Sequence, residues 1–325
     1  MGAQWSQVFP PKPTFIEGNV GPQNGKVFLV TGGYSGIGLE LAKMLYKNHG
    51  SVYIAGRSED KARQAINDIR AGAPASQGSL EFLRLELDDL SSIKASVESF
   101  KARESKLHVL WNNAGVSRPP VGSVSKQGIE LQLATNCLGP FLFTRLLLPL
   151  IEETASTEPP GSVRVIWTSS QIVELSAPPG GFDMSELQTP SKDQLRNYII
   201  SKFGNWLLAS EMARTVGRTS GVVSVALNPG SAYSNLFRHT PSLYFFAWPL
   251  LYAPKMTAYT ELYAGLSKDI GLKTNGCYIV PFGRIAKEND IRQDLLEALK
   301  QKEDGGSGKA KEFCDYCEDK VRDYF

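Results

Sequence analysis

The sequence predicts a doubly wound α/β fold: a parallel sheet of seven strands covered by helices on both faces. Three observations carry that expectation. Short apolar runs alternate with longer helical stretches from about residue 25 onward, the rhythm of βαβ units. Most of those runs are continuously apolar, as strands buried on both faces must be. And a glycine cluster, "TGGYSGIG" at 31–38, falls where the first strand would turn into the first helix.

The elements follow in order. Residues 1–24 are rich in Pro, Gly and aromatics without periodicity, and read as an extended N-terminal arm. "KVFLVTG" (26–32) is the first strand, and 36–48 the first helix. "SVYIAGR" (51–57) is the second strand, and 58–71 a helix opened by Ser58 ahead of acidic first-turn residues. "LEFLRLEL" (80–87), a helix at 90–104 and "LHVLWNNAG" (107–115) continue the alternation. A long, mostly buried helix is expected over 128–151, a fifth strand at 162–170 and a second long helix at 193–214. "GVVSVALNPG" (221–230) is a sixth strand, 255–267 a helix and "GCYIVPFG" (276–283) a seventh strand. "EDGGSGKA" (303–310) reads as a linker to a polar terminal helix. The organisation is therefore an arm (1–24), one domain (25–302) with an apolar lid (231–254), and a tail (303–325).

Composition narrows the function classes. The 325 residues are 42% hydrophobic and 21% charged, ordinary for a soluble globular chain. A net charge of +2 gives no reason to expect a nucleic-acid partner. Four cysteines are too few for a disulfide scaffold and point to a reducing, cytoplasmic compartment. "CDYC" (314–317) sits among acidic residues that disfavour thiolates, so a plain surface helix is expected there, without metal. No secretory leader is visible. "MGAQWS" fits the myristoylation pattern through Gly2 and Ser6, which leaves a peripheral membrane contact open. The uncharged stretch 239–254 is too short and too proline-broken to span a bilayer.

The glycine cluster points to a cofactor. Gly32 permits a tight turn, Gly36 lets backbone approach a pyrophosphate, and Gly38 lets helix pack on sheet, with Ser35 and Ile37 between. The helix N-terminus behind them offers unpaired N–H groups and a positive dipole end. In this Rossmann arrangement the end of the second strand selects the dinucleotide. Here "AGRS" puts Gly56 and Arg57 where an acidic residue would bind a ribose hydroxyl, which favours the 2′-phosphate of NADP(H).

"RNYIISKF" (196–203) places Tyr198 and Lys202 four apart on one helix face. Such a pair is either packing or an acid–base catalyst. The surrounding motifs decide it, because the chain resembles the short-chain dehydrogenase/reductase family over about residues 25–285. The glycine loop looks like the family's cofactor loop, and "NNAG" (112–115) is similar to its fourth-strand signature. Asn136, Ser170, Tyr198 and Lys202 stand where that family carries its active-site residues, and Pro229-Gly230 resembles its bend after the sixth strand. The resemblance implies Tyr198 as general acid–base, Lys202 lowering its pKa and bonding the cofactor ribose, Ser170 holding the substrate oxygen and Asn136 holding a relay water. It further implies cofactor contacts at Glu86, Leu87, Asn113, Ala114, Gly115 and Ser234. Glu86 departs from the Asp usual there, and Trp111 and Tyr34 are bulkier than the family's pattern. The loop after Ser170 and the sequence as a whole look like retinol-dehydrogenase-like fungal members, some of which act in secondary metabolism.

Eleven aromatic or leucine residues crowd 233–252, so the substrate is expected to be a bulky lipophilic ketone or alcohol meeting Gln171, Tyr233 and Phe237. The same surface leaves a homodimer or a membrane-facing lid open. Two other functions remain: redox-neutral acid–base chemistry such as epimerisation or cyclisation, and non-catalytic dinucleotide sensing.

Overall fold

The computed structural model describes residues 2–233 and 251–325. Its strands are β1 (Val27–Thr31), β2 (Ser51–Gly56), β3 (Ser79–Arg84), β4 (Val109–Asn112), β5 (Arg164–Thr168), β6 (Val223–Leu227), β7 (Tyr278–Val280) and β8 (Arg284–Ile285). They form one sheet in the order β3-β2-β1-β4-β5-β6-β7-β8. Strands β1 to β7 pair parallel, as expected. The eighth strand is new, pairing antiparallel with β7 after the turn at Gly283. Two residues are too few to leave a pattern in the sequence.

Every residue of β1, β4, β5 and β6 is buried, which accounts for their unbroken apolar character. At the sheet edge β3 exposes Glu81 and Arg84, hence its mixed composition. Arg164 is the exception inside β5. Its buried guanidinium donates to the carbonyls of Gly161, Ala264, Ser267 and Ile270, so each of its three nitrogens is hydrogen-bonded despite burial.

The helices are α1 (Gly2–Val8), α2 (Gly36–Lys47), α3 (Glu59–Gly72), α4 (Leu90–Lys101), α5 (Leu131–Thr157), α6 (Gln171–Ser176), α7 (Gln194–Ser220), α8 (Pro254–Leu266), α9 (Gln293–Leu299) and α10 (Lys309–Val321). Helices α4, α5, α7 and α10 pack on one face of the sheet. Helices α2, α3 and α8 pack on the other. The long α5 is apolar enough to cross a membrane by composition, but 83% of that stretch is buried inside this fold.

Both ends of the chain depart from expectation. The arm begins with α1, two turns long and too short to show periodicity. Gln7 is buried and donates to Glu174 at 2.9 Å while Asn228 donates to Gln7 at 2.9 Å. Arg284 donates to the Ser6 carbonyl and Tyr252 to that of Val8. The tail, expected as a surface helix, instead buries Ala310, Phe313, Cys317 and Val321 against α7 and α5. Those positions recur at helical spacing, so the polar residues between them describe only the outer face. Among the described residues no acidic, His or Cys group is arranged to hold a metal.

Candidate active site

The sheet order reverses between β2 and β4, on either side of β1, and this opens a crevice above the strands' C-terminal ends. A cleft of about 850 Å³ lies there. The loop from β1 to α2 forms one wall. Gly32 (φ +69°) and Gly36 (φ +55°) both take the left-handed backbone that glycine adopts without strain. A Cβ on Gly38 would lie 2.7 Å from the Gly32 carbonyl and from Asn113 Nδ2, so the loop and β4 close tightly on α2. The Thr31 hydroxyl accepts from the N–H groups of Asn113 and Ala114, at 3.0 and 2.9 Å, and donates to the Trp111 carbonyl. Ser35, Gly36 and Ile37 line the cleft at the start of α2, which carries no acidic residue in its first turn. An anion is therefore favoured at this end.

At the end of β2 the Tyr34 ring covers Gly56, where a Cβ would come within 2.3 Å of it. Arg57 lines the cleft, paired with Asp88 at 2.9 Å, and Lys61 joins it from the first turn of α3. The site thus combines a glycine turn, an open helix end and two cations beside the end of β2.

Four side chains meet at the other end. Pro140 cannot donate to the Asn136 carbonyl four residues back, and α5 opens into a π turn over Ala134–Leu138. Asn136 is buried within it. Its Nδ2 donates to the Val116 carbonyl (3.0 Å) and to Ser201 Oγ (2.9 Å), while its Oδ1 accepts from Val116 N–H (2.8 Å). The side chain thereby ties the β4 loop to α7. Ser170 lies two residues after β5 and caps α6, accepting from Ile172 N–H at 3.4 Å. Tyr198 and Lys202, one turn apart on α7, are buried and both line the cleft.

Lys202 Nζ donates to the Thr168 carbonyl at 2.9 Å, which also accepts from Asn205. The Thr168 hydroxyl in turn donates to Glu261 Oε1 at 2.8 Å. Glu261 comes from α8 across the sheet, is wholly buried, and its Oε2 has no hydrogen-bond partner. Burial shapes the charges of all three groups. It pushes the Tyr198 phenol up to about 12, against the pull of Ser170 and of Arg118. It holds Lys202 down to about 8, opposed by Cys137 and Glu261, and it raises Glu261 to about 7. Lys202 Nζ stands 5.9 Å from the centroid of the Tyr198 ring.

Gly32, Ser35, Gly36, Ile37, Arg57, Leu87, Asn113, Ala114, Gly115, Ser170, Gln171, Tyr198, Lys202, Pro229 and Gly230 all line the one cleft. Gln171 is buried with Nε2 unpartnered. Gly38 lies behind the loop, and Asn136 behind Gly115. Glu86 is not on the lining; it pairs with Arg84, and Asp88 stands in the cleft instead. Tyr233 is bonded through its N–H to Tyr252 and is also off the lining. Ser234 and Phe237, with most of the aromatic lid, lie outside the described residues. Sequence reasoning missed Tyr34, Lys61, Asp88, Arg118 and Glu261. Only Lys61, one turn after Arg57, left a readable spacing. Trp111, unexplained by its motif, donates its indole N–H to the Glu261 carbonyl.

A family model described as short chain dehydrogenase matches residues 26–178. The chain is 45% identical to the short-chain dehydrogenase/reductase iacJ of Pestalotiopsis fici, over 97% of this chain and 96% of that protein. It is 40% identical to the short-chain dehydrogenase/reductase bet4 of Neocamarosporium betae, over 99% and 94%. Among solved structures, an NADPH-bound carbonyl reductase from chicken fatty liver matches with TM-score 0.62 at 22% identity, covering 81% of this chain and 99% of that one. That likeness bears on fold. The relatives span essentially the whole chain, and the chain belongs to the short-chain dehydrogenase/reductase family, whose members bind a nicotinamide dinucleotide.

Proposed function

We propose that this protein is an NADP(H)-dependent oxidoreductase that interconverts a ketone or aldehyde and an alcohol on a bulky lipophilic substrate. The observation that carries it is the convergence of Ser170, Tyr198 and Lys202 on the cleft that begins at the glycine loop. Bound there, the dinucleotide would supply or accept the hydride. Arg57 and Lys61 would hold its 2′-phosphate, the first turn of α2 its pyrophosphate, and Lys202 its ribose. Ser170 donates to the substrate oxygen and fixes it within reach of the Tyr198 phenol. Tyr198 delivers the proton to that oxygen in reduction and removes it in oxidation. A phenol pushed up to about 12 is a reliable neutral donor in the reductive direction.

The test is NADPH and NADH consumption by purified protein against a panel of lipophilic ketones and quinones, beside Tyr198→Phe and Arg57→Ala/Lys61→Ala. Turnover should vanish in the tyrosine variant, and the double variant should lose NADPH affinity, read by direct fluorescence titration, while NADH is little affected. Turnover that survives Tyr198→Phe would sink the mechanism. Product formation without net NADPH consumption would move the protein to redox-neutral chemistry.

A further inference from the structure

The catalytic end of the cleft carries hydrogen-bond donors that the fold does not satisfy. Arg118 lines the cleft just beyond Gly115, and its charge reaches the Tyr198 phenol. Its backbone sits at φ +47°, a left-handed conformation that an arginine adopts only when its surroundings impose it. Gln132 imposes it, accepting from Arg118 N–H at 2.9 Å while its own amide nitrogen is bound to Glu130 and Gln194. The guanidinium Nε is buried with no hydrogen-bond partner, and Arg118 is in no ion pair among the described residues. Gln171, buried on the same lining, also has an unpartnered Nε2.

The usual acids for such an arginine are committed elsewhere. Glu130 accepts from Leu133 N–H at 2.7 Å and from Gln132. Asp88, the acidic residue on the cleft lining, pairs with Arg57 at the glycine-loop end. Residues 231–254, which follow the Pro229–Gly230 bend, contain no Asp or Glu at all and add Arg238. No described acid pairs with Arg118, and an anionic ligand in the cleft would supply the counter-charge. A planar guanidinium fork with an unused N–H suits an ionised oxygen far better than a neutral one.

We propose that Arg118 determines substrate specificity by receiving an ionised oxygen, a carboxylate or an enolate, on the same lipophilic molecule whose carbonyl meets Tyr198. This rests on the reading of Tyr198 as the catalytic acid. The substrate class is thereby narrowed from lipophilic ketones to acidic ones, held at two points: the reacting oxygen by Ser170 and Tyr198, the anionic oxygen by Arg118.

The experiment compares aryl ketones of one scaffold bearing a carboxylate with their methyl esters, alongside 1,3-diketones that ionise near neutral pH. Each is assayed with NADPH and the wild-type protein, Arg118→Met and Arg118→Lys. The wild type should favour an ionised ketone over its neutral counterpart by about 10- to 100-fold in kcat/KM, chiefly through KM. The ratio should fall to about one in Arg118→Met and partly return in Arg118→Lys. Preference for the keto acid or for the diketone identifies which anion the site takes. A ratio near one in the wild type, an unchanged ratio in Arg118→Met, or an equal loss of kcat on acid and ester would each overturn the proposal. If no ketone is reduced, the reductase reading fails by itself. Arg118 is then judged by titrating the NADPH-loaded protein with the carboxylate and its ester: tighter acid binding that Arg118→Met abolishes supports the proposal, and equal binding in the wild type refutes it.

Discussion

Lys202 shows what the fold spends to place a cation beside a reacting oxygen. Its pKa falls from 10.5 to about 8 because burial disfavours the ammonium more than Glu261 and Cys137 restore it. Between those two values the unfolded chain binds more protons than the folded one, so the wild type gains stability as pH rises through that window. Lys202→Met removes the titration. The cofactor-free variant should therefore be more stable than wild type at pH 7, with the gap narrowing by a few kcal/mol, on the order of the shift itself, between pH 8 and 10.5. Urea unfolding of both proteins across that range measures it, and a gap independent of pH would show that Lys202 is not desolvated. The residue scale is also where sequence and structure part. Tyr198 and Lys202 were legible as candidates because they sit four apart in one motif, and Ser170 because the resemblance marks the end of the fifth strand. Glu261, wholly buried behind Lys202, was not, since a lone glutamate in a helical stretch has the pattern of a solvated face.

At the scale of elements, strand and helix identity followed from apolar runs and their periods, and the boundaries moved with tertiary contacts. Helix α7, expected to stop near residue 214, continues to Ser220 and ends at Gly221 in the left-handed conformation. Its start is set by Asp193, whose carboxylate accepts from Leu195 N–H at 2.9 Å. Asp193→Ala should cost about 1 kcal/mol in chemical denaturation. Helix α8 is held more tightly. A Cβ on Gly265 would lie 2.0 Å from Trp111 Cζ2, inside a ring that also bonds the Glu261 carbonyl. Gly265→Ala should therefore destabilise by about 1–3 kcal/mol through overpacking, well outside the gain an exposed helical Gly→Ala would bring. A stabilised variant would mean that α8 can slide on β4.

For the whole molecule, the doubly wound sheet was readable, whereas the roles of the two chain ends were not. An arm without periodicity and a polar tail look dispensable in one dimension. In three, Gln7 bridges Glu174 of α6 and Asn228 of the β6 loop, and Asn228 Oδ1 accepts from the N–H of Gly230 on the cleft lining. Gln7→Ala removes two buried hydrogen bonds and should cost about 1–3 kcal/mol. It should also raise KM for the carbonyl substrate more than the Kd for NADPH, because the contacts lie beside α6 and the β6 bend. Steady-state kinetics and cofactor titration of the same preparation check both, and a shift confined to the cofactor would place the arm elsewhere in the working of the site.

Thr168 joins the two layers of the protein through one residue. Its carbonyl holds Lys202 and Asn205 of α7, and its hydroxyl holds Glu261 of α8 on the opposite face. Neither layer therefore completes the site alone. A half-formed molecule, with α7 docked and α8 still loose, would present a lysine whose anchor strand is not yet backed by its own second layer. During refolding, the capacity to transfer a proton at Tyr198 should consequently return with the last helix to seat, and not with the collapse of the face that carries the tyrosine.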